Sequence, residues 1–148
     1  MTRHVAPGPT LEEMDRAECV RLLARTVIGR VVLSADCIPI ALPVNVSVVD
    51  RYVVFGTDSG TKLDAAVRGA VVTVEADDID PVYQTGWSVL VTGVATVITD
   101  PGEIERTTKL VAPPWARRNP LFLVRVPMTK VSGRRITWDP RPDTTSSP

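Results

Sequence analysis

The chain alternates between short runs of aliphatic and β-branched residues and short polar turns. These runs predict strands, because Val, Ile and Thr fit the pleated backbone of a sheet. They cover residues 30–34, 38–49, 52–55, 71–75, 87–98, 121–126 and 131–138. Most connections between them are too short for the crossover that a parallel strand pair needs. The pattern therefore predicts an antiparallel fold that closes, or nearly closes, into a β-barrel.

A first helix is predicted from a capping sequence followed by one apolar face. Residues 10–13 (TLEE) place Thr10 at an N-cap and Glu13 three residues later, the arrangement of a capping box. Gly29 is a typical residue for the end of a helix. Four residues between these signals recur at helical spacing and predict the buried face: Cys19, Leu22, Leu23 and Thr26.

Two further short helices are predicted. The first covers residues 61–68 and ends at Gly69. The second has Asp100 as its N-cap and Pro101 as its first residue, and it should end before the proline pair at 113–114. Because these helices are short and few, they are expected to lie at the periphery of the barrel.

The composition fits one globular domain. The 148 residues are 44% hydrophobic, and 17 acidic residues balance 17 basic ones, so no net field favours nucleic acid or a membrane surface. No apolar run approaches the ~18 residues of a membrane span. We expect a domain over residues 10–138, a loose tail over 1–9, a disordered tail over 139–148, and a cytoplasmic location. The spacing of the two cysteines and the single His4 argues against a metal site.

Charge is nonetheless unevenly placed along the chain. Residues 75–80 (EADDID) hold four acids, whereas residues 115–142 hold seven bases and one acid. Solvated surface explains both groups. Their opposite signs could also meet across a contact between subunits.

Residues 56–62 (GTDSGTK) connect a predicted strand to a predicted helix and suggest an anion site. Gly56 and Gly60 allow sharp turns, three hydroxyls can donate hydrogen bonds, and Lys62 adds a positive charge. The unpaired amides of a helix start attract phosphate groups. The spacing is not that of a Walker loop. A capped helix after a glycine turn, with Lys62 exposed to solvent, explains the segment equally simply.

An ordered series of motifs resembles one known superfamily. The motifs are Leu22-Leu23 with Gly29-Arg30-Val31, then Pro43-Val44-Asn45, GTKLDAA at 60–66, EADDID at 75–80, TGWSV at 85–89 and GRRI at 133–136. In this order they resemble the small bacterial members of the pyridoxamine 5′-phosphate oxidase-like superfamily of flavin-binding split β-barrels. The resemblance covers about residues 12–137. It implies a mainly β fold, an antiparallel split barrel of six or seven strands with two or three short peripheral helices.

The resemblance also implies a function. Relatives are homodimers that bind FMN, or in some actinobacterial members the deazaflavin F420, in pockets at the subunit interface. We therefore expect an oxidoreductase that transfers a hydride to or from a small organic molecule, without nucleic acid, membrane or metal. By position, the cofactor phosphate would meet Thr57, Ser59, Gly60, Thr61 and Lys62. The flavin ring would meet the strand of Val44, Asn45 and Val46, with Trp87 and Ser88 from the following strand or from the partner chain.

One position departs from the pattern of the relatives. At the position of Gly56, similar sequences usually carry an arginine that binds the phosphate. Loss of a bidentate guanidinium weakens phosphate binding, unless an arginine from the basic C-terminal third compensates or the phosphate lies elsewhere. The alternative function is a ligand-binding or sensing barrel that has lost tight FMN. No catalytic residue can be assigned, since Tyr83 and Ser88 are the only polar candidates near the expected slot.

Overall fold

A nine-stranded antiparallel sheet dominates the fold. The computed structural model describes residues 8–111 and 121–138. Its strands are β1 (Pro9–Glu13), β2 (Ile28–Ala35), β3 (Ile38–Val49), β4 (Tyr52–Asp58), β5 (Val71–Asp80), β6 (Thr85–Val94), β7 (Thr96–Val97), β8 (Leu121–Pro127) and β9 (Lys130–Trp138). Its helices are α1 (Arg16–Ala24), α2 (Lys62–Val67) and α3 (Pro101–Leu110). The strand order is β1-β9-β6-β5-β2-β3-β4-β8-β7.

The long strand β3 joins the two halves of the sheet. It pairs with β2 over residues 38–45 and with β4 over residues 46–49. At the far side, β6 approaches β8, where a Cβ built on Gly93 would lie 3.2 Å from Pro127. The sheet therefore wraps around a core, but β6 and β8 approach each other without pairing, so the barrel is not closed by hydrogen bonds. The predicted mainly β, antiparallel split-barrel fold is confirmed.

Period-two alternation along the strands fills this core. Val31 and Leu33 of β2, Val53 and Phe55 of β4, and Val89 of β6 are buried in one cluster. Each fully buried Val or Phe stabilises the fold by roughly 1.5–3 kcal/mol. Helices close the cluster at its ends, with Cys19 and Leu23 from α1 and Val67 from α2.

The start of the first helix is not where the capping box places it. Residues 10–13 form β1 and pair with β9, whereas Asp15 caps α1 by accepting a 2.8 Å hydrogen bond from the Glu18 amide. Strand pairing gives these residues hydrogen bonds that a capping box would only partly supply. Gly29 is not the helix end either. It lies in β2, where an added Cβ would come within 2.7 Å of the Glu75 carbonyl.

The other helix predictions are confirmed with small shifts. α2 begins after the N-cap Thr61, and Gly69 follows it with φ +70°. α3 has Asp100 as N-cap and ends at Leu110, before the prolines. Over the described ranges, no helix is long and apolar enough to cross a membrane.

Nine strands occur in the described residues where six or seven were predicted. β1 is additional, and the strand predicted over residues 87–98 is divided into β6 and the two-residue β7. The predicted tails, residues 1–9 and 139–148, lie outside the described residues except for Gly8 and Pro9. His4 also lies outside them.

Candidate functional site

The turn before α2 is held together by its own hydrogen bonds. The Thr61 hydroxyl donates to the Asp58 carbonyl at 2.9 Å and accepts from the Asp64 amide at 3.1 Å. The Gly60 amide donates to Asp64 Oδ2 at 3.2 Å. A hydroxyl has one donor, so the Thr61 hydroxyl has none left for a phosphate in this arrangement.

A carboxylate and its partner arginine complete this turn. Asp64 is only 7% exposed, and Arg68 donates to its Oδ1 at 2.9 Å. The Arg68 guanidinium also lies 4.9 Å from the centre of the Phe122 ring. A negative group thus sits at the helix start where the sequence suggested a phosphate. Lys62 is the first residue of α2, and its side chain lies outside the described part, so its predicted phosphate contact stays a prediction.

Thr57 has a buried hydroxyl with an unmet hydrogen bond. The residue is 2% exposed, and its Oγ1 has no partner in the described parts of the chain. Thr57 lies two residues after Phe55 on the same strand, so its side chain is on the face that Val53 and Phe55 bury. An unsatisfied buried hydroxyl costs about 1–3 kcal/mol. It is therefore a candidate contact for a bound group. Ser59, two residues further on, is exposed.

On β3, the three predicted ring contacts differ in burial, and even the middle one, Asn45, is half-buried with a side-chain amide nitrogen that solvent does not reach. Val44 and Val46 are buried in the core. Asn45 lies between them and therefore points to the outer face of the sheet. Any contact that Val44 and Val46 make with a flavin ring would have to come from their backbone groups.

On β6, the two predicted residues also separate onto opposite faces. Trp87 is partly buried and packs against the core cluster. Ser88 points outward and lines an open cavity of about 560 Å³ at the β1 edge of the sheet. Further lining residues of this cavity are Glu13, Met14, Leu90 and Arg134.

Asn45 and Ser88 lie on the same face of the sheet but are too far apart to contact each other. Asn45 pairs with Ile28 of β2, and Ser88 pairs with Asp77 of β5. β2 and β5 are themselves neighbours. Three strand spacings therefore separate Asn45 from Ser88, about 14 Å at about 4.8 Å each. The structure brings Thr57, Ser59, Gly60 and Thr61 together at the α2 turn, and it leaves Ser88 apart from them.

A charged cluster on the same outer face was not predicted. Arg30 of β2 donates to Glu75 at 3.1 Å and lies 3.7 Å from Asp77. Burial, and a hydrogen bond with Asp77, raise the pKa of Glu75 above its usual range, against the opposing effect of Arg30. The sequence showed the acidic residues, and Glu75 and Asp77 are two apart as on one strand face. The pairing with Arg30 depends on the β2–β5 register.

Two arginines of the basic C-terminal third are already engaged. Arg125 pairs with Glu103 and lies 4.8 Å from the centre of the Tyr52 ring, beside a small cavity under α3. Arg135 pairs with Glu18 of α1. Each would have to leave an ion pair to replace the arginine missing at Gly56. Arg117, Arg118 and Arg141 lie outside the described residues.

Comparison with known proteins gives a consistent result. The profile of the family described as pyridoxamine 5′-phosphate oxidase matches residues 15–135. The uncharacterized protein Rv0080 of Mycobacterium tuberculosis is 41% identical over 147 residues, which cover 95% of this chain and 96% of that protein. A FAD-binding protein of Mycobacterium smegmatis has 35% identity and a TM-score of 0.73, with 84% of this chain and 98% of that chain covered.

A more distant structure shows the same fold. A FAD-binding protein of Mesorhizobium loti aligns with a TM-score of 0.72 at 20% identity, over 88% of this chain and 99% of that chain. The architecture and these matches define the fold as the split β-barrel found in flavin-binding proteins. The chain belongs to the pyridoxamine 5′-phosphate oxidase family.

Proposed function

We propose that this chain binds a flavin between the two subunits of a homodimer and uses it as an oxidoreductase on a small organic molecule. The observation that carries the proposal is the likeness to the Mycobacterium smegmatis FAD-binding protein, at 35% identity over nearly all of that chain. When bound, a flavin supplies the hydride chemistry, and the protein supplies position and surroundings.

The residues at the barrel wall fit such a ligand. The strand of Val44, Asn45 and Val46 would hold the ring through its backbone groups, above an apolar core. Thr57 lies on the core side of β4, and its buried hydroxyl, whose hydrogen bond is unmet in the described residues, would meet the cofactor tail near the α2 turn and not the ring. Flat apolar surface with a few polar groups is what a flavin ring requires.

The α2 turn argues for FAD rather than FMN. A terminal phosphate monoester carries close to two negative charges and needs cations or free amides. Here the Gly60 amide is bound to the Asp64 carboxylate. The resemblance to the family implies an arginine at the position of Gly56. The phosphates of FAD are internal to a longer tail, so adenosine contacts can supplement the weak phosphate contacts at this turn. The deazaflavin F420 also has a longer tail and remains the alternative cofactor.

Titration with the three cofactors tests the proposal. Binding is measured by the quenching of cofactor fluorescence as purified protein is added. The dissociation constant for FAD should be about tenfold or more below that for FMN, and also below that for F420. A protein that takes up none of them would overturn flavin binding. A preference for FMN would overturn the cofactor assignment alone.

A second candidate is a flavin-binding protein without catalysis. Asn45 and Ser88 provide an amide and a hydroxyl group, and Tyr83 lies exposed at the β5–β6 turn. The nearby carboxylates Glu75 and Asp77 are engaged with Arg30. Reduction of the bound flavin by NADPH, followed by reoxidation with a quinone or nitro compound, separates the candidates. Repeated cycles of reduction and reoxidation support the enzyme. A bound flavin that does not cycle supports the flavin-binding protein without catalysis.

A further inference from the structure

A small cavity lies between α3 and the outer side of β4 and β8. Its volume is about 190 Å³, which corresponds to about six water molecules at ~30 Å³ each. Part of its lining is apolar and consists of Val49, Val54, Ile98 and Leu110. Val54 and Ile98 belong to a second apolar cluster, separate from the core inside the barrel. The cavity therefore offers an apolar surface to a small organic molecule.

This cavity and the α2 turn lie at opposite ends of β4. Tyr52, the first residue of β4, lines the cavity, whereas Asp58, the last residue, leads into the turn. A strand of this length extends over about 20 Å, at about 3.3 Å per residue. No residue of the α2 turn and none of residues 44–46 is among the described residues that line the cavity. The cavity is therefore separate from the proposed flavin site.

Thr107 of α3 brings a buried hydroxyl to this cavity. The residue is only 6% exposed and belongs to the cavity lining. Its hydroxyl makes no hydrogen bond within the described parts of the chain, whereas the hydroxyl of the neighbouring Thr108 donates to the Ile104 carbonyl at 2.7 Å. Buried polar groups are nearly always hydrogen-bonded in folded proteins. The Thr107 hydroxyl is thus available to a group bound in the cavity.

The charged residues around the cavity leave one cation and one acid unpaired. Arg125 pairs with Glu103 and lies over the Tyr52 ring, so these two charges neutralise each other. Arg106 of α3 and Asp50 of the β3–β4 turn also line the cavity. Neither of them makes an ion pair within the described ranges of the chain. A ligand in the cavity can therefore meet one positive and one negative group.

We propose that this cavity binds a small zwitterion with an apolar body, which is the chemistry of an aliphatic α-amino acid. The Arg106 guanidinium and the Thr107 hydroxyl bind its carboxylate, Asp50 binds its ammonium group, and the apolar lining receives its side chain. A carboxylic acid without the ammonium group would leave the Asp50 charge uncompensated, and an amine without the carboxylate would do the same to Arg106. The proposal goes beyond the proposed function, because it involves neither the flavin nor a second subunit.

Isothermal titration calorimetry of the purified full-length chain tests this assignment. Leucine is the probe, and its analogues 4-methylpentanoate and 3-methylbutylamine lack the ammonium group and the carboxylate, respectively. Leucine should bind with a dissociation constant below about 1 mM, and each analogue should bind about tenfold or more weakly, because it loses one charge-assisted contact. Glycine, which has both charges but no apolar side chain, should also bind about tenfold or more weakly.

Substitutions with matched controls on the same helix locate the binding site. Arg106→Gln and Asp50→Asn should each raise the dissociation constant for leucine about tenfold or more, and Thr107→Val about fivefold. Asparagine tolerates the φ of +53° at position 50, so Asp50→Asn preserves the turn. Lys109→Gln and Thr108→Val change exposed neighbours on α3 that are not part of the cavity lining, and both should leave the dissociation constant unchanged. Circular dichroism confirms that each variant is folded.

Three results would overturn the assignment. The first is no binding of leucine up to about 10 mM. The second is an analogue that binds as tightly as leucine, and the third is an unchanged dissociation constant in both Arg106→Gln and Asp50→Asn. The flavin titration fails independently of these measurements. A chain that binds leucine in this cavity but takes up no flavin would support the zwitterion site and overturn only the proposed function.

Discussion

Asp64 joins Gly60 to Arg68: one carboxylate oxygen accepts from the Gly60 amide at 3.2 Å and the other from the Arg68 guanidinium at 2.9 Å. The two bonds tie the turn after β4 to the last turn of α2. They also place a negative charge at the start of this helix. Phosphate binding at this turn therefore has to compete with a side chain of the protein itself.

Asp64→Ala should destabilise the fold. The substitution removes two hydrogen bonds to a nearly buried carboxylate and leaves the Arg68 charge without its partner, a loss of about 1–3 kcal/mol. Urea unfolding followed by circular dichroism measures it. Glu105→Ala, which breaks the exposed Glu105–Lys109 pair, is the control and should cost less than about 0.5 kcal/mol. Equal effects of the two substitutions would contradict the structural role of Asp64.

Thr57→Val should have opposite effects on the free protein and on the complex. Valine has the shape of threonine without the hydroxyl, so the free protein should become about 1 kcal/mol more stable in thermal unfolding. If the hydroxyl contacts the cofactor, the dissociation constant for FAD should rise about fivefold to tenfold, since a hydrogen bond contributes about 1 kcal/mol. A destabilised free protein would show that the hydroxyl has a partner within the chain.

Gly133→Ala should be strongly destabilising although alanine is the smallest possible replacement. The added Cβ would lie 2.6 Å from the Cys19 sulfur, 2.8 Å from Met14 Cε and 3.0 Å from the Ser88 carbonyl. Such overpacking costs about 1–3 kcal/mol. Ser132→Ala, at the exposed neighbouring position, should change stability by less than about 0.5 kcal/mol. A tolerated Gly133→Ala would mean that α1 can move away from β9 at little cost.

The two cysteines should differ in reactivity. Cys19 is buried, and its burial together with the nearby Asp15 raises the pKa of its thiol, while Cys37 is exposed in the β2–β3 turn. A thiolate is the reacting species, so the raised pKa and the lack of access both slow Cys19. Ellman's reagent should therefore titrate one thiol per folded chain and two in denaturant. Two fast thiols in the folded protein would contradict the packing of α1.

Glu75 should make stability depend on pH in a defined direction. Because its pKa is raised in the folded state, the folded chain binds this proton more tightly than the unfolded chain. The contribution of Glu75 is therefore greatest below its unfolded pKa, and it declines as pH rises through the folded value.

Glu75→Gln isolates this contribution. Glutamine resembles the protonated acid, so the stability of Glu75→Gln relative to the wild type should increase between acidic and neutral pH. Urea midpoints of both proteins across that range measure the difference. A relative stability that falls with pH would mean that the attraction of Arg30 outweighs burial.

Local sequence signals were sufficient where a short segment supplies its own partners. Asp100 with Pro101 fixed the start of α3, and Thr61 with Gly69 bounded α2, because each cap is made within a few residues of the helix it terminates. The alternation of Val and polar residues likewise identified the strands and the antiparallel barrel. Resemblance in ordered motifs identified the family.

Other features depended on residues far apart in the chain. The TLEE sequence reads as a helix cap, yet its partner is β9, more than a hundred residues later, and strand pairing prevailed. The Arg30–Glu75 pair depends on the register of β2 against β5, and Val44 is buried because β3 is placed against the other strands of the barrel. The sequence by itself thus determined most of the elements, with β1 as an exception, because helix caps and side-chain alternation are local. Only the tertiary structure decided which side chains meet, because strand register sets the face and the neighbours of every residue in a sheet.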